Sequence, residues 1–204
     1  RLEQRTTTAD PGPWAPGVDA PAHRTGDPGG KTGHMLEVEP GNTVIALDVS
    51  PQRLPQIDEN TDRLGLHATL IAADAADTSA WWDGQAFDRI LIDAPCTGSG
   101  VIRRHPDIKL LRHPKDIDSL ASQQQILLDN LWPLLKPDGL MVYTTCSAFK
   151  KENEQQIEAF LQRHPDAEEV RPATPPARPR PFGYQHLPGS DVMDGFYYAC
   201  LRSR

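Results

Sequence analysis

The chain has 204 residues, a formal net charge of -7 and three cysteines. Its length suits one domain with a buried core, and its acidic balance argues against a protein that holds nucleic acid by bulk electrostatic attraction. Cysteines without CxxC spacing suit neither a disulfide framework nor a zinc site, and no apolar segment reaches the ~20 residues that span a bilayer. These features predict a cytoplasmic protein without a metal site or a membrane partner, in which any RNA contact is local.

The N-terminal residues 1–27 show neither helical nor strand periodicity, and prolines recur among them. We expect this stretch to be irregular or disordered. Order is expected over residues 28–204, beginning with a glycine turn at 28–32 (PGGKT) that opens a short helix. Such a turn lets backbone approach a ligand, and a helix N-terminus offers free N–H groups to an anionic group. The alternative is a tight turn before a helix, with no ligand.

Strand, acid and helix repeat three times between residues 43 and 93. Strands that alternate with helices predict a parallel sheet with helices on both faces. A carboxylate roughly 20 residues beyond a glycine turn, at a strand tip, is the usual ribose acceptor in nucleotide sites. A single strand-end aspartate is more often a cap, but three in series favour a nucleotide-like cofactor. The predicted strands are 43–48, 67–73 and 87–92, and the acids are Asp48, Asp74 and Asp93.

Residues 101–118 form the one locally basic segment, which follows the loop after the third acid. Charge runs are usually solvated surface loops. The position of this segment beside the predicted site favours a second interpretation, in which it holds a polyanionic substrate. Its basic side chains are Arg103, Arg104, Lys109, Arg112 and Lys115.

The second half of the chain predicts further helices and strands. A leucine-rich face at 120–135 predicts a long helix, bent at Pro133. A strand is predicted at 140–145, after a turn, and a proline-rich loop at about 165–190. The chain closes with a predicted antiparallel strand at 195–201, at or near the edge of the sheet.

Cys96 and Cys146 each follow the end of a predicted strand. Ligands bind at the carboxyl ends of strands in an open α/β sheet, so both thiols are expected to face one pocket. Free cysteines are commonly small buried hydrophobes, and this is what we expect of Cys200, in the middle of a strand. Ser147 is predicted to start the helix that follows the second thiol.

Five motifs occur in order along the chain: PGGKT at 28–32, DAPC at 93–96, RHPDIK at 104–109, TCS at 145–147 and DGFY at 194–197. Together they resemble the catalytic domain of the bacterial 16S ribosomal RNA cytosine-5 methyltransferases of the Sun type, within the wider family of RNA cytosine-5 methyltransferases. The resemblance covers about residues 28–202. The paired Pro-Cys and Thr-Cys motifs are highly specific, and the RHPDIK segment narrows the resemblance towards the ribosomal enzyme.

The resemblance implies a Rossmann-like methyltransferase fold with a mostly parallel sheet and an antiparallel C-terminal strand. It implies S-adenosylmethionine as cofactor, small-subunit ribosomal RNA as partner, no DNA partner and a monomeric chain. It implies that Asp48 holds the ribose and Asp74 the adenine, and that Asp93 lies beside both the cofactor and the target base. The implied cofactor contacts near the turn are Thr25, Gly26, Asp27, Pro28, Gly29, Gly30 and Lys31, and the RNA contacts are Arg103, Arg104 and Lys109.

The resemblance assigns Cys146 as the nucleophile and Cys96 as the thiol that helps to release the product. C5 of cytosine is a poor nucleophile, so a thiolate must first add to C6. After methyl transfer a base must remove the C5 proton, which gives the second thiol a task. Asp93 is expected to bond the cytosine edge and, protonated near N3, to stabilise the adduct. The target base must also leave its stack.

Residues 18–27 depart from the family pattern, in which an apolar strand ending in an acid runs into the glycine turn. Here Pro21 would block a ladder bond, and His23 and Arg24 would be buried. We hypothesise that residues 1–27 are not native family sequence, through a frame shift or a truncation upstream. The alternative to an active enzyme is therefore an inactive fragment that keeps the fold and weak RNA contact. A thiol redox protein is disfavoured because CxxC spacing is absent from the sequence.

Overall fold

The computed structural model describes residues 29–38, 41–173, 177–189 and 194–204, so the prediction of an irregular stretch at 1–27 lies outside the described residues. The helices within these ranges are α1 Gly30–Val38, α2 Leu54–Arg63, α3 Ile108–Leu111, α4 Pro114–Leu131 and α5 Glu154–Arg163. The strands are β1 Ile45–Asp48, β2 Thr69–Ala72, β3 Phe87–Asp93, β4 Leu135–Thr145, β5 Ala167–Glu169, β6 Arg178–Pro179, β7 Tyr184–His186 and β8 Phe196–Ser203. None of these helices has the length and apolar character to cross a membrane.

The described strands form two separate sheets. β1 and β2 pair in parallel, with Asp48 opposite Ala72. The other sheet has the order β3-β4-β8-β7-β6, and β5 also pairs with β8. β3 and β4 are parallel, whereas β8 runs antiparallel to β4, β5 and β7. Within the described ranges no strand joins β1 to β3, so the two sheets remain separate among these residues.

The main core lies where β3 and β4 meet α4 and α5. Ile92 and Tyr143, which are opposite each other in this parallel pair, are both 0% exposed. Long apolar runs suit such strands because a parallel pair that is covered by helices has little contact with water. Burial of each large side chain stabilises the fold by about 1.5–3 kcal/mol. The packed core therefore holds the ends of β3 and β4 in fixed positions. The helices contribute Leu128, Leu131, Ile157 and Phe160 to the same cluster.

The helix predicted at 120–135 begins earlier and ends earlier than expected, at Pro114 and Leu131. Its start is set by Pro114 at the first helical position and by Asp116, whose carboxylate accepts a hydrogen bond from the His113 backbone N–H at 2.8 Å. Its end is set by Pro133, which lies in a one-turn 3-10 helix. The expected bend is therefore a helix end, because proline cannot donate the next backbone bond.

The expectation that Ser147 starts a helix is wrong. α5 begins at Glu154, and Ser147 is fully buried in the segment between β4 and a one-turn 3-10 helix at Lys150–Glu152. A buried serine hydroxyl needs hydrogen-bond partners. Ser147 finds them in Glu152 and in the backbone N–H of Phe149.

The predicted C-terminal strand is confirmed as antiparallel, but its predicted place at or near the sheet edge is wrong. β8 lies between β4 and β7, and β5 pairs with it as well. The stretch at 165–190, expected to be a proline-rich loop, contains the short strands β5, β6 and β7 within its described residues, and two of them pair with β8. The α/β fold class is confirmed, with a larger antiparallel share than the strand–helix repeats indicate.

Candidate active site

The thiols of Cys96 and Cys146 lie 3.3 Å apart, sulfur to sulfur. β3 and β4 run in the same direction, with Asp93 opposite Thr144, so the chain leaves both strands at one edge of the sheet. Both thiols line a cavity of about 410 Å³ at this edge. The prediction that the two cysteines face one pocket is confirmed.

A cation and an acid lie in the same cavity beside the thiols. Lys31 Nζ is 2.8 Å from Asp93 Oδ2, and it also lies 5.9 Å from the centre of the Phe196 ring. Asp93 Oδ1 accepts a longer hydrogen bond, of 3.4 Å, from the Thr144 hydroxyl. The carboxylate is thus held in place from both sides, and it can accept a hydrogen bond from a polar ring in the cavity.

A second cavity, of about 330 Å³, adjoins the first and shares Asp48 with it. Asp48 is 2% exposed and is the last residue of β1. Asp74 is more exposed, follows β2 and lines the second cavity but not the first. Each acid also caps a local turn, as the alternative interpretation held. Asp48 Oδ1 accepts from the Ser50 N–H at 2.8 Å, and Asp74 Oδ1 accepts from the Ala76 N–H at 2.9 Å. The three strand-end acids therefore lie along one pair of cavities.

The glycine turn is described only in part. Thr25, Gly26, Asp27 and Pro28 lie outside the described residues. Gly29 has a φ of 89°, and a Cβ there would lie 3.1 Å from the Ile57 Cα, so glycine is needed for the turn itself. Lys31 lines the larger cavity, whereas neither Gly29 nor Gly30 lines either of the two cavities described here.

The predicted RNA contacts Arg103, Arg104 and Lys109 are all exposed, just beyond the Cys96 loop. Arg104 forms an ion pair with Asp194. Arg112, from the same basic segment, donates from Nε to the Thr97 carbonyl at 3.1 Å. The basic segment is therefore anchored to the loop that carries one of the thiols.

The two thiols differ in acidity. A hydrogen bond from Cys96 lowers the pKa of Cys146, and Lys31 acts in the same direction, against burial and the charge of Asp93. The same bond, together with burial, raises the pKa of Cys96 well above its usual value. Because the thiolate is the nucleophilic form, these opposite pKa shifts favour Cys146 over Cys96 as the nucleophile.

We expect iodoacetamide to modify Cys146 before Cys96, with a rate that rises over a pH range below the usual thiol value of about 8.5. Cys96→Ala removes the hydrogen bond to the thiolate, so it should raise the pKa of Cys146 and slow its modification at neutral pH. Peptide mapping by mass spectrometry measures each rate. Burial raises the pKa of Cys200 to about 11, which makes it an internal control that stays unmodified. Faster labelling of Cys96 at pH 7 would contradict this assignment.

Sequence reasoning assigned no role to two residues at the site. Phe196 lines the larger cavity, and the DGFY motif was the one signal that pointed to it. Glu152 is 0% exposed and bonds the loops after both thiols. No spacing in the sequence distinguishes Glu152 from the charged residues around it.

Comparison with known proteins identifies relatives over most of the chain. A family model described as 16S rRNA methyltransferase RsmB/F matches residues 23–202. The chain is 52% identical over 174 residues to ribosomal RNA small subunit methyltransferase B of Vibrio cholerae, which covers 85% of this chain and 39% of that protein. The protein of the same name from Salmonella arizonae is 53% identical, with coverage of 85% and 40%. The chain thus spans well under half the length of these curated relatives.

The fold has a solved counterpart in the crystal structure of NSun6 from Pyrococcus horikoshii with SFG. It matches with a TM-score of 0.76 and 29% identity, over 87% of this chain and 46% of that one. This likeness confirms a Rossmann-like methyltransferase fold. The five motifs, the strand-end thiols and the family match over residues 23–202 agree: this chain belongs to the 16S rRNA methyltransferase RsmB/F family.

Proposed function

We propose that this chain is the catalytic part of an S-adenosylmethionine-dependent RNA methyltransferase that forms 5-methylcytidine in small-subunit ribosomal RNA. The observation that carries the proposal is the pair of sulfurs 3.3 Å apart, in a cavity that also contains Asp93. Two thiols side by side suit a reaction in which one adds to a pyrimidine and the other releases it. The curated relatives, named as methyltransferases of ribosomal RNA, support the choice of substrate.

The two cavities fit a nucleoside cofactor. The smaller one joins Asp48 and Asp74 to an apolar wall that includes Ile126 and Leu127, a combination that suits ribose hydroxyls and a flat base. Asp48, Val49 and Pro95 line both cavities, so the smaller one adjoins the larger one, where Lys31 and the thiols lie. We propose that Asp48 holds the ribose and Asp74 the adenine end. S-adenosylmethionine would supply an electrophilic methyl group beside the thiols.

The chemistry of this chain's own residues begins with the Cys146 thiolate. Its sulfur forms a bond to C6 of the flipped cytosine, and the electron pair of the C5–C6 double bond becomes available at C5. Asp93, held by Lys31, hydrogen-bonds the polar edge of the ring. After the methyl group has reached C5, a base takes the C5 proton, the double bond re-forms and the C6–sulfur bond breaks.

Cys96 is the base that we propose for this last step. The hydrogen bond to Cys146 is the largest cause that raises the pKa of Cys96 in the free protein. That bond to a thiolate is lost once the Cys146 sulfur is bound to carbon. Cys96 then loses its proton more readily, at the stage of the reaction that requires a base.

The direct test supplies the chain with transcribed 16S ribosomal RNA and S-adenosylmethionine that carries a labelled methyl group. We expect label in 5-methylcytidine after nuclease digestion and mass spectrometry. RNA is used at high concentration, because Arg103, Arg104 and Lys109 offer only a small basic patch to phosphates. Cofactor binding without label in cytidine, or with label on another nucleoside, would contradict the proposed reaction.

A second candidate function is an inactive fragment that keeps the fold and weak RNA contact. The observation that favours it is the division of the described strands into two sheets, since no described strand joins β1 to β3 beside the cavities. Calorimetric titration with S-adenosylmethionine discriminates between the two candidates. The absence of both binding heat and a thermal shift would support the fragment.

We expect Asp48→Asn to weaken binding of S-adenosylmethionine by roughly 10–100-fold, because hydrogen bonds to charged groups contribute about 1.5–3 kcal/mol. The asparagine oxygen can still accept from the Ser50 N–H, so the local turn should be kept. Isothermal calorimetry measures the change. The control is Asp58→Asn, an exposed acid on α2, which should bind as the parent does. Equal affinity in both variants would remove Asp48 from the cofactor site.

A further inference from the structure

Glu152 is a carboxylate that is completely buried and completely hydrogen-bonded. Its Oε1 accepts from the Thr97 backbone N–H at 2.8 Å and from Gln124 Nε2 at 3.2 Å. Its Oε2 accepts from the Thr97 hydroxyl at 2.6 Å and from the Ser147 hydroxyl. Removing a carboxylate from water costs free energy unless its oxygens are satisfied in this way. An apolar side chain at this position would leave the Thr97 N–H and the hydroxyls of Thr97 and Ser147 without this acceptor, so the arrangement of these groups depends on Glu152.

The partners of Glu152 are the residues next to the two thiols. Thr97 directly follows Cys96, and Ser147 directly follows Cys146. These loops are 50 residues apart in the chain, and one carboxylate bonds both of them. Movement of either loop away from the other would break bonds to Glu152.

We call the bonds from Glu152 to Thr97 and Ser147 the Glu152 clamp. Two side-chain amides extend this clamp to the backbone beside each thiol. Gln124, on α4, donates both to Glu152 and to the Pro95 carbonyl, at 2.9 Å for the latter. The Cys96 residue is therefore held from both sides. Asn153 donates to the Ser147 carbonyl at 2.9 Å, which fixes the backbone after the second thiol in the same way.

We infer that Glu152 is a positioning residue that holds the Cys96 and Cys146 sulfurs at their reacting separation. It acts through Thr97 and Ser147, and it does not line the larger cavity, which contains the thiols. This role rests on the proposed function, in which one thiol adds to the base while the other removes a proton. Reacting groups that are misplaced by about 1 Å can lose on the order of 100-fold in rate.

The first test measures the separation of the sulfurs without any substrate. In a glutathione buffer the two thiols give two electrons and two protons to oxidised glutathione, forming a Cys96–Cys146 disulfide and two reduced glutathione molecules. The equilibrium constant for this closure reports how strongly the fold holds the sulfurs together. We expect Glu152→Ala to lower it by about 10-fold or more, and Glu152→Gln to stay close to the parent. The glutamine oxygen still accepts from Thr97 and Gln124, and its NH₂ can donate to the two hydroxyls.

The matched control is Glu154→Gln, a buried carboxylate two residues away that pairs with Arg180 instead of the thiol loops. It should leave the closure constant unchanged. If Glu152→Ala fails to fold, Ser147→Ala removes the bond to Glu152 on the Cys146 side and should lower the constant severalfold. This variant also removes the contacts of the Ser147 hydroxyl with Thr97, Ser99 and the Phe149 N–H. An unchanged constant in Glu152→Ala or in Ser147→Ala, or an equal fall in Glu154→Gln, would overturn the inference.

The second test measures methyl transfer at saturating cofactor and RNA. We expect Glu152→Ala to lower kcat by on the order of 100-fold with little change in either KM, and Glu152→Gln to restore most of it. A rise in KM with kcat unchanged would overturn the positioning role. The two tests separate the two proposals. If disulfide closure depends on Glu152 but the parent chain methylates no cytidine, the positioning of the thiols by Glu152 is supported and the proposed function is refuted.

Discussion

Cys146→Ala is expected to abolish methyl transfer, with a fall in rate of roughly 10⁴-fold or more, the size of loss seen when a covalent nucleophile is removed. Without this sulfur no adduct forms at C6, so C5 does not become a nucleophile. RNA that carries 5-fluorocytosine makes the step visible, because fluorine at C5 leaves no proton for the base to remove. The parent should form a covalent protein–RNA complex that survives denaturing electrophoresis, and Cys146→Ala should form none.

The other two cysteines are the controls for this experiment. Cys96→Ala keeps the nucleophile but lacks the proposed base, so it should accumulate the adduct with ordinary cytosine. Cys200 lies on β8, away from the paired thiols, and Cys200→Ala should form and release the adduct as the parent does. An adduct that persists undiminished in Cys146→Ala would refute the assignment of the nucleophile.

Gly100→Ala is expected to be the most damaging small substitution near the site, destabilising the fold by about 3 kcal/mol. A Cβ on this residue would lie 2.2 Å from the Gly195 carbonyl oxygen and 2.8 Å from the Cys146 carbonyl oxygen. Both neighbours are backbone, so neither can turn aside as a side chain would. Backbone bonds of 2.8 Å also join Gly100 to Cys146 and to Gly195. The added methyl group should therefore displace the Cys146 loop as well as lower stability.

Urea unfolding of Gly100→Ala measures the free-energy change, and the closure of the Cys96–Cys146 disulfide in glutathione measures the displacement of the thiol. Gly41→Ala is the matched control. A Cβ there would meet no atom within 4 Å, so its stability should stay within about 0.5 kcal/mol of the parent. Similar stabilities for the two variants would show that the contact between Gly100 and Gly195 relaxes easily.

The sequence indicated the thiol site correctly because the site depends on a simple geometric rule. Cys96 and Cys146 each follow an apolar run, and parallel strands end at the same edge of a sheet. The pairing of Ile92 with Tyr143 bears this out. The role of Glu152 had no comparable signal, because its partners Thr97 and Ser147 are fixed only when distant loops meet.

The position of β8 shows the same limit for the fold. Residues 195–201 were predicted as an antiparallel strand, and both the strand and its direction are confirmed. Its place inside the sheet depends on β5 and β7, short strands in a proline-rich stretch whose local preferences favour a loop. Their pairing with β8 is a tertiary effect, and such effects override weak local propensity.

The sequence by itself determined an α/β fold, a series of acids at strand ends and two cysteines at one edge of the sheet. It could do so because hydrophobic periodicity and motif order are local properties of a sequence. Only the tertiary structure decided that the sulfurs lie 3.3 Å apart, that one buried carboxylate bonds both of their loops, and that the described strands divide into two sheets. Those features depend on hydrogen bonds and close packing between segments about 50 residues apart, and a local pattern does not encode such contacts.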